Sequence, residues 1–431
     1  MKKKQLGFLL LIFLAFFTSC SNDGNFEFDA KANKTKSDML SLSEARVELE
    51  KLLDDVYGQT STRTFNPKKK VIVKAFTINN QKHSTRTETT KESIIHVFNF
   101  ANKGGFALMS GNREMPSLLA LADSGEISDD TPIDNPGFIL FLQGASNQYD
   151  HELTDDEEHV PDIIKEYGEW ENIVYKPGGY CDVMWGQLDP YNMYCPTIGN
   201  EKAVTGCVAT AVAQLMSVYK YPSTYGNYSF NWDEMTQGSM PQSDLAKTQV
   251  ARLMKEIGNG DNLKMKYGLT RNGGSKAKIK DIPKTLSNFK YSNGGRIVDY
   301  NTDNVVSELI NGYPVLLSGF SNKKVKRFLG IKVGTTYTEG HCWLGHGVLE
   351  RRRSVTRYSK GKVLGTYIQN QWYILCNWGW KGGHNGYYLS NAFNAGNEPS
   401  FPVGTRSEDD TNGTSKYNYP FKVQTILDIR K

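Results

Sequence analysis

No segment of this 431-residue chain repeats another, which removes solenoid and propeller architectures. Strong charge is missing too. A net charge of +5 is small for this length, so nucleic acid is not expected as the main partner. The six cysteines fit no zinc-ligand spacing, and no cofactor or metal is implied. No wall-binding repeat is present. What remains is an ordinary globular composition, 39% hydrophobic and 23% charged, long enough for two or three domains.

The N-terminus reads as a targeting segment. Met1-Lys2-Lys3-Lys4 supplies a positive start, and the apolar run from Leu6 to Phe17 is too short to cross a bilayer as a permanent helix. Phe17-Thr18-Ser19-Cys20 then places small residues directly before a cysteine, as a bacterial lipobox does. Residues 1–20 are therefore expected to be a lipoprotein signal peptide, with Cys20 as the lipidation site and 21–38 as a polar tether. Phe17 stands where leucine is usual, so ordinary signal cleavage is the alternative. Export makes disulfides possible among Cys181, Cys195, Cys342 and Cys376, with buried free thiols as the competing reading.

Along the chain, an amphipathic helix is expected from about Leu40 to Leu53, then short β-type runs at 71–73, 94–100 and 106–110, and a helix from Pro136 to Tyr149. The acidic run Asp155–Glu158 opens a polar stretch that ends at Pro177-Gly178-Gly179, which reads as an accessible linker between domains. Beyond it, Ser243 caps a helix closed by Gly258, a buried strand lies at 314–317, and the C-terminal part is β-rich.

The stretch Val204-Thr205-Gly206-Cys207-Val208-Ala209-Thr210-Ala211 organises the rest. Cys207 opens an Ala/Val-rich run with apolar residues at helical spacing that stops at Pro222. A thiol in the first turn of such a helix feels the positive end of the helix dipole, which favours thiolate. Gly206 lets backbone and substrate come close. Taken alone, Cys207 also fits a small buried hydrophobe.

Such a nucleophile needs a base and an oxyanion hole. Three histidines follow it, His341, His346 and His384. His341 begins the apolar strand Gly340-His341-Cys342-Trp343-Leu344, and Leu375-Cys376-Asn377-Trp378 leads into a glycine-rich turn. Cys207, then His341 roughly 130 residues on, then Asn377, is the order and spacing of papain-like proteases. Residues 341 and 346 should face opposite sides of their strand, so one of them at most can meet Cys207. His384 is expected in an exposed turn.

Trp185-Gly186-Gln187, Pro190-Tyr191-Asn192, Thr205-Gly206-Cys207, Gly340-His341 and Asn377-Trp378-Gly379-Trp380 together resemble the streptopain family of papain-fold cysteine peptidases. The resemblance covers about 180–390, while Gly105-Phe106-Ala107-Leu108-Met109-Ser110 and Leu118-Leu119-Ala120 resemble that family's pro-segment. It implies Cys207 as nucleophile, His341 as base, Gln187 in the oxyanion hole, and Asn377 or Trp378 orienting His341. His346 departs from the family pattern, in which an acid is more usual at that place.

The expected fold is α+β: a papain-like catalytic domain at 180–431, preceded by an α+β pro-domain at 39–150 and a processing linker at 151–179. The expected function is an exported cysteine endopeptidase, made as a zymogen and anchored by lipid in the cell envelope or at the cell surface, with release after processing also open. Its partners would be protein or peptide substrates, its own pro-domain as inhibitor in cis, and the membrane. A Cys–His cell-wall amidase and an inactive surface binding protein are the rival readings.

Overall fold

A computed structural model describes residues 39–58, 70–82, 91–128, 130–154, 163–321, 327–333, 340–394 and 421–431. Cys20, the signal segment, the tether and the acidic run 155–158 lie outside them. The described residues belong to one compact unit.

Helix α1 (Leu42–Tyr57) starts at a capping box, in which the Ser41 hydroxyl accepts from the Glu44 N–H and the Glu44 carboxylate accepts from the Ser41 N–H. It buries Leu49, Leu52, Leu53 and Val56. Strands β1 (Ile72–Lys82), β2 (Lys91–Phe100), β3 (Phe106–Ser110) and β4 (Leu118–Ala122) follow as an antiparallel meander. Helix α2 (Pro136–Thr154) opens where the Asn135 side chain accepts from the N–H groups of Gly137 and Phe138 at 3.0 and 3.2 Å.

Strands β5 (Ile163–Tyr167) and β6 (Glu171–Val174) come next, then helices α3 (Cys207–Tyr219), α4 (Asp244–Ile257, capped by Ser243) and α5 (Ile282–Asn288). The remainder is β7 (Asn293–Asp299), α6 (Thr302–Ile310), β8 (Val315–Ser321), β9 (His341–Ser359), β10 (Lys362–Asn377), β11 (Gly386–Leu389) and β12 (Phe421–Arg430).

The main sheet has 12 strands in the order β1-β2-β3-β4-β11-β10-β9-β8-β12-β7, with β5 and β6 added on β9. Alternation along β9 divides the core. Cys342 and Leu344 join the apolar cluster of α3, α4 and α5, whereas Trp343 joins that of α2 and α6.

Two expectations change. The stretch 151–179 is not a linker along its length: α2 continues to Thr154, and β5 and β6 pair with β9. Ile163, Ile164, Tyr167, Ile173 and Val174 supply β-forming side chains to a strand edge that is otherwise bare. The N-terminal part also shares the catalytic sheet, because β4 pairs with β11, Leu121 opposite Tyr387. Strand β12, which sequence reading did not anticipate, enters between β8 and β7.

Candidate active site

Gly206 has φ +87°, and a Cβ there would come within 3.1 Å of the Met265 side chain and the Ser275 carbonyl. Only glycine fits that turn without strain. Two hydroxyls brace it: Thr210 Oγ1 donates to the Gly206 carbonyl at 3.0 Å and lies 3.0 Å from Thr205 Oγ1. The Thr205 N–H donates to the Gln187 carbonyl at 3.1 Å, which ties the Gln187 segment to the start of α3. Gln187 is half-buried there.

Cys207 is half-buried at the first position of α3. Burial pushes its thiol pKa up, and the main chain of Cys342, Val208 and Cys207 pulls against that shift. The thiol therefore lies beside the strand that carries His341. The His341 ring is 1% exposed, stacks on Trp343 at 6.1 Å, and its Nε2 lies 2.9 Å from the Trp378 carbonyl. A carbonyl only accepts, so Nε2 carries the proton and Nδ1 is the basic nitrogen. Nδ1 is buried with no hydrogen-bond partner among the described residues. Burial lowers the His341 pKa to about 4, against the opposing pull of the Trp378 carbonyl.

Asn377 does something else. Its Oδ1 accepts from Gln214 Nε2 at 2.9 Å, and its Nδ2 donates to the Val183 carbonyl at 2.7 Å. Gln214 Nε2 also donates to the Trp185 carbonyl at 3.1 Å. The pair thus joins α3, β10 and the 183–187 segment, and the His341 ring is held by the Trp378 main chain instead. Thr210 and Gln214, both 0% exposed, are supports that sequence reading passed over. The signal was available, as two polar residues four apart on an otherwise Ala/Val face.

His346 is buried with its pKa lowered to about 3 by desolvation, and its Nδ1 accepts from the Cys181 N–H at 3.2 Å. That bond fixes the 179–183 segment. His384 is half-buried and not in an exposed turn: its ring stacks on Phe138 at 5.2 Å and 15° and reaches Phe106 at 6.0 Å. The five described cysteines are free, and no group of three or more metal-binding side chains occurs among the described residues.

The N-terminal part packs against the strand and turn that hold His341. Ser124 Oγ donates to the Gly382 carbonyl at 2.6 Å and accepts from the His384 N–H at 3.0 Å. Asn135 Nδ2 donates to the Gly383 carbonyl at 2.8 Å. Gly137 sits so close to Trp378 that a Cβ there would overlap the indole ring.

The family model described as the Peptidase C10 family matches residues 185–388, and that of the Spi protease inhibitor matches 35–149. These matches show a cysteine-type peptidase that is similar to the C10 family over its C-terminal half. The first match holds Gln187, Cys207, His341, Asn377 and Trp378, and the second ends inside α2. The chain is 28% identical over 159 residues to the thiol protease/hemagglutinin PrtT of Porphyromonas gingivalis, which covers 34% of this chain and 18% of that protein. It is 22% identical over 348 residues to streptopain of Streptococcus pyogenes, 70% of this chain and 75% of streptopain. Among solved structures, a prointerpain A fragment of Prevotella intermedia is 23% identical with a TM-score of 0.49, over 82% of this chain and 99% of that one. Neither the amidase nor the binding-protein reading is favoured by the two family matches.

Proposed function

We propose that this cysteine peptidase is an exported endopeptidase made as a precursor, tethered through lipid on Cys20, and silenced by residues 39–150 until it is cut. The observation that supports the chemistry most is the placing of the Cys207 thiol, at the N-terminus of α3, against the strand whose His341 ring is fixed by the Trp378 carbonyl.

His341 Nδ1 takes the thiol proton, and the thiolate attacks the scissile carbonyl carbon. The Cys207 N–H and the Gln187 side-chain amide meet the oxyanion. The imidazolium then gives its proton to the leaving amine, which departs and leaves an acyl-thioester. Water, activated by His341, hydrolyses the thioester and restores the thiol. In the precursor the thiol pKa is raised and the imidazole pKa lowered, so the resting pair is neutral. This suits an enzyme held inactive. The inhibitor-type match over 35–149 and the packing of Gly137 on Trp378 support the same reading.

The test compares residues 21–431 as wild type and as Cys207→Ala on unfolded casein, with and without reductant and E-64. Activity should need the thiol and reductant and be blocked by E-64. Equal casein cleavage by both proteins rejects the assignment. For the anchor, Cys20→Ser should move the protein from the membrane fraction to the soluble one, and unchanged fractionation rejects lipidation.

A further inference from the structure

We infer that Ile163–Val174 stays on the catalytic part after processing, as its N-terminal strand, so the cut that yields the stable enzyme lies on the N-terminal side of Ile163. The inference rests on the precursor reading above.

The backbone of this stretch belongs to β9. Val355 pairs with Tyr167 through to Ser359 with Ile163, and Leu349 with Val174 through to Arg352 with Glu171. The Gly168 N–H bridges the gap by donating to the Ser354 carbonyl at 2.9 Å. The alignment then resumes, across a turn closed by the Gly179 N–H on the Lys176 carbonyl, toward the active site. The Tyr175 N–H donates to the Val348 carbonyl at 3.2 Å, the Tyr180 N–H to the His346 carbonyl at 2.8 Å, and the Cys181 N–H to His346 Nδ1. Beyond them the Val183 and Trp185 carbonyls are held by Asn377 and Gln214, and the next residue but one is Gln187. Residues 163–181 thus follow β9, and 183–187 pass on to β10 and α3, a route that leads to Gln187.

Side chains tie Ile163–Val174 to β9 as well. Trp170, 4% exposed, lies between the guanidinium groups of Arg351 and Arg353, at 4.7 and 4.3 Å from its ring. Arg353 also covers Tyr167 at 4.2 Å. Arg351 Nε donates to Asn172 Oδ1 at 2.8 Å. Arg352 and Glu171 pair through two bonds.

Contacts with the N-terminal part are of another kind, side chains with no strand pairing. Lys51 reaches the Trp170 carbonyl at 3.1 Å and Glu169 at 3.7 Å, Asn172 donates to Asp55 at 2.8 Å, and Lys165 pairs with Glu114 at 2.7 Å. The two ion pairs are exposed and contribute little, which leaves two partly buried hydrogen bonds against the strand pairing on β9. If the stretch left with the N-terminal part, β9 would keep a bare edge from 349 to 359, because β8 reaches it only between His341 and Gly345. Val355, fully buried now, would face water. An unpaired edge of that length is a liability that folded proteins avoid.

Two arms test this. Wild-type 21–431 is left to convert, and Cys207→Ala 21–431 is digested lightly with subtilisin; the stable product of each is sized by intact mass and N-terminal sequencing. Both products should begin at or before Ile163. In the converted enzyme, amides of 163–174 should exchange as slowly as those of 349–359. A stable product that begins between Ile164 and Trp185, or exchange of 163–174 complete within minutes, overturns the inference. Failure of the wild type to convert counts against the precursor reading alone, since the subtilisin arm still decides where the strand belongs.

Discussion

The His341 imidazole donates from Nε2 to the main-chain carbonyl of Trp378 at 2.9 Å, so this ring is oriented by backbone and not by a side-chain amide. The Trp378 indole is fully buried, packed 5.1 Å from Trp343 and 5.0 Å from Tyr388, and a phenyl ring can keep much of that packing. Trp378→Phe should therefore keep most of the activity of the processed enzyme. His341→Ala should lose about 10²–10⁴-fold in kcat/KM, the usual contribution of a general acid–base. Casein turnover by the two variants checks this. A loss in Trp378→Phe as deep as in His341→Ala would place the orienting role in the indole.

Asn377→Ala should act on stability first. It takes the acceptor from one donor of Gln214 and the donor from the buried Val183 carbonyl, at a cost of about 1–3 kcal/mol. Gln214→Ala should cost a similar amount, and the double variant less than the sum, because the two share one network. Urea unfolding of the Cys207→Ala chain with these changes measures it. An additive double variant would show that the network does not act as a unit.

The helix opened by Cys207 and the capped helix after Ser243 were legible because each rests on local signals: periodicity, caps, and a glycine before a cysteine. What was hidden depends on tertiary pairing. Ile163–Val174 reads as a polar stretch until β9 lies beside it, and β12 gains its meaning from β8 and β7. The choice between Asn377 and Trp378 could not be read from sequence either, since a main-chain carbonyl leaves no mark on residue type. His384 does lie in a turn, but it looked exposed because its aromatic partners, Phe106 and Phe138, are over 240 positions away in the chain.

In the precursor the Cys207 thiol should alkylate slowly at neutral pH. Its pKa is raised by burial, so the thiolate fraction grows only as pH climbs past the ordinary thiol range. Iodoacetamide labelling of the precursor, measured before conversion, should rise steadily toward alkaline pH, whereas the processed enzyme should label faster at neutral pH. A flat, fast profile between pH 5 and 8 in the precursor would show that the thiolate–imidazolium pair already exists there.

Gly137→Val should loosen the hold on the site. A side chain at 137 overlaps the Trp378 ring, so α2 cannot seat in its present place. The variant precursor should convert sooner than wild type, or cleave casein before conversion. Unchanged conversion time and no early activity would mean that the α2–Trp378 contact does not restrain the enzyme.

Acid should destabilise the precursor through its buried histidines. Burial lowers the pKa of His384 to about 4, with Asp134 pulling weakly the other way, while the unfolded chain has the ordinary value near 6.5. The folded state binds its proton less readily than the unfolded state. The stability that follows is complete above about pH 6.5 and is lost as pH falls toward 4. His341 and His346, lowered to about 4 and about 3, add to the same trend. Asp123 opposes it: burial raises its carboxyl pKa, despite Lys70 and Tyr57 beside it, so its protonation favours the folded state at the acid end. His384→Asn isolates one contribution, since asparagine tolerates the φ of +61° at this position and carries no titrating group. At pH 7 the variant should be less stable, because it loses the ring packing on Phe138 and Phe106. Between pH 7 and 5 the Cys207→Ala, His384→Asn chain should lose less stability than the Cys207→Ala chain, by an amount on the order of 1–2 kcal/mol. Urea midpoints at the two pH values measure the difference. Parallel losses in the two chains would show that His384 titrates alike in the folded and unfolded states, and that its stacking between the N-terminal part and the catalytic sheet does not keep it neutral.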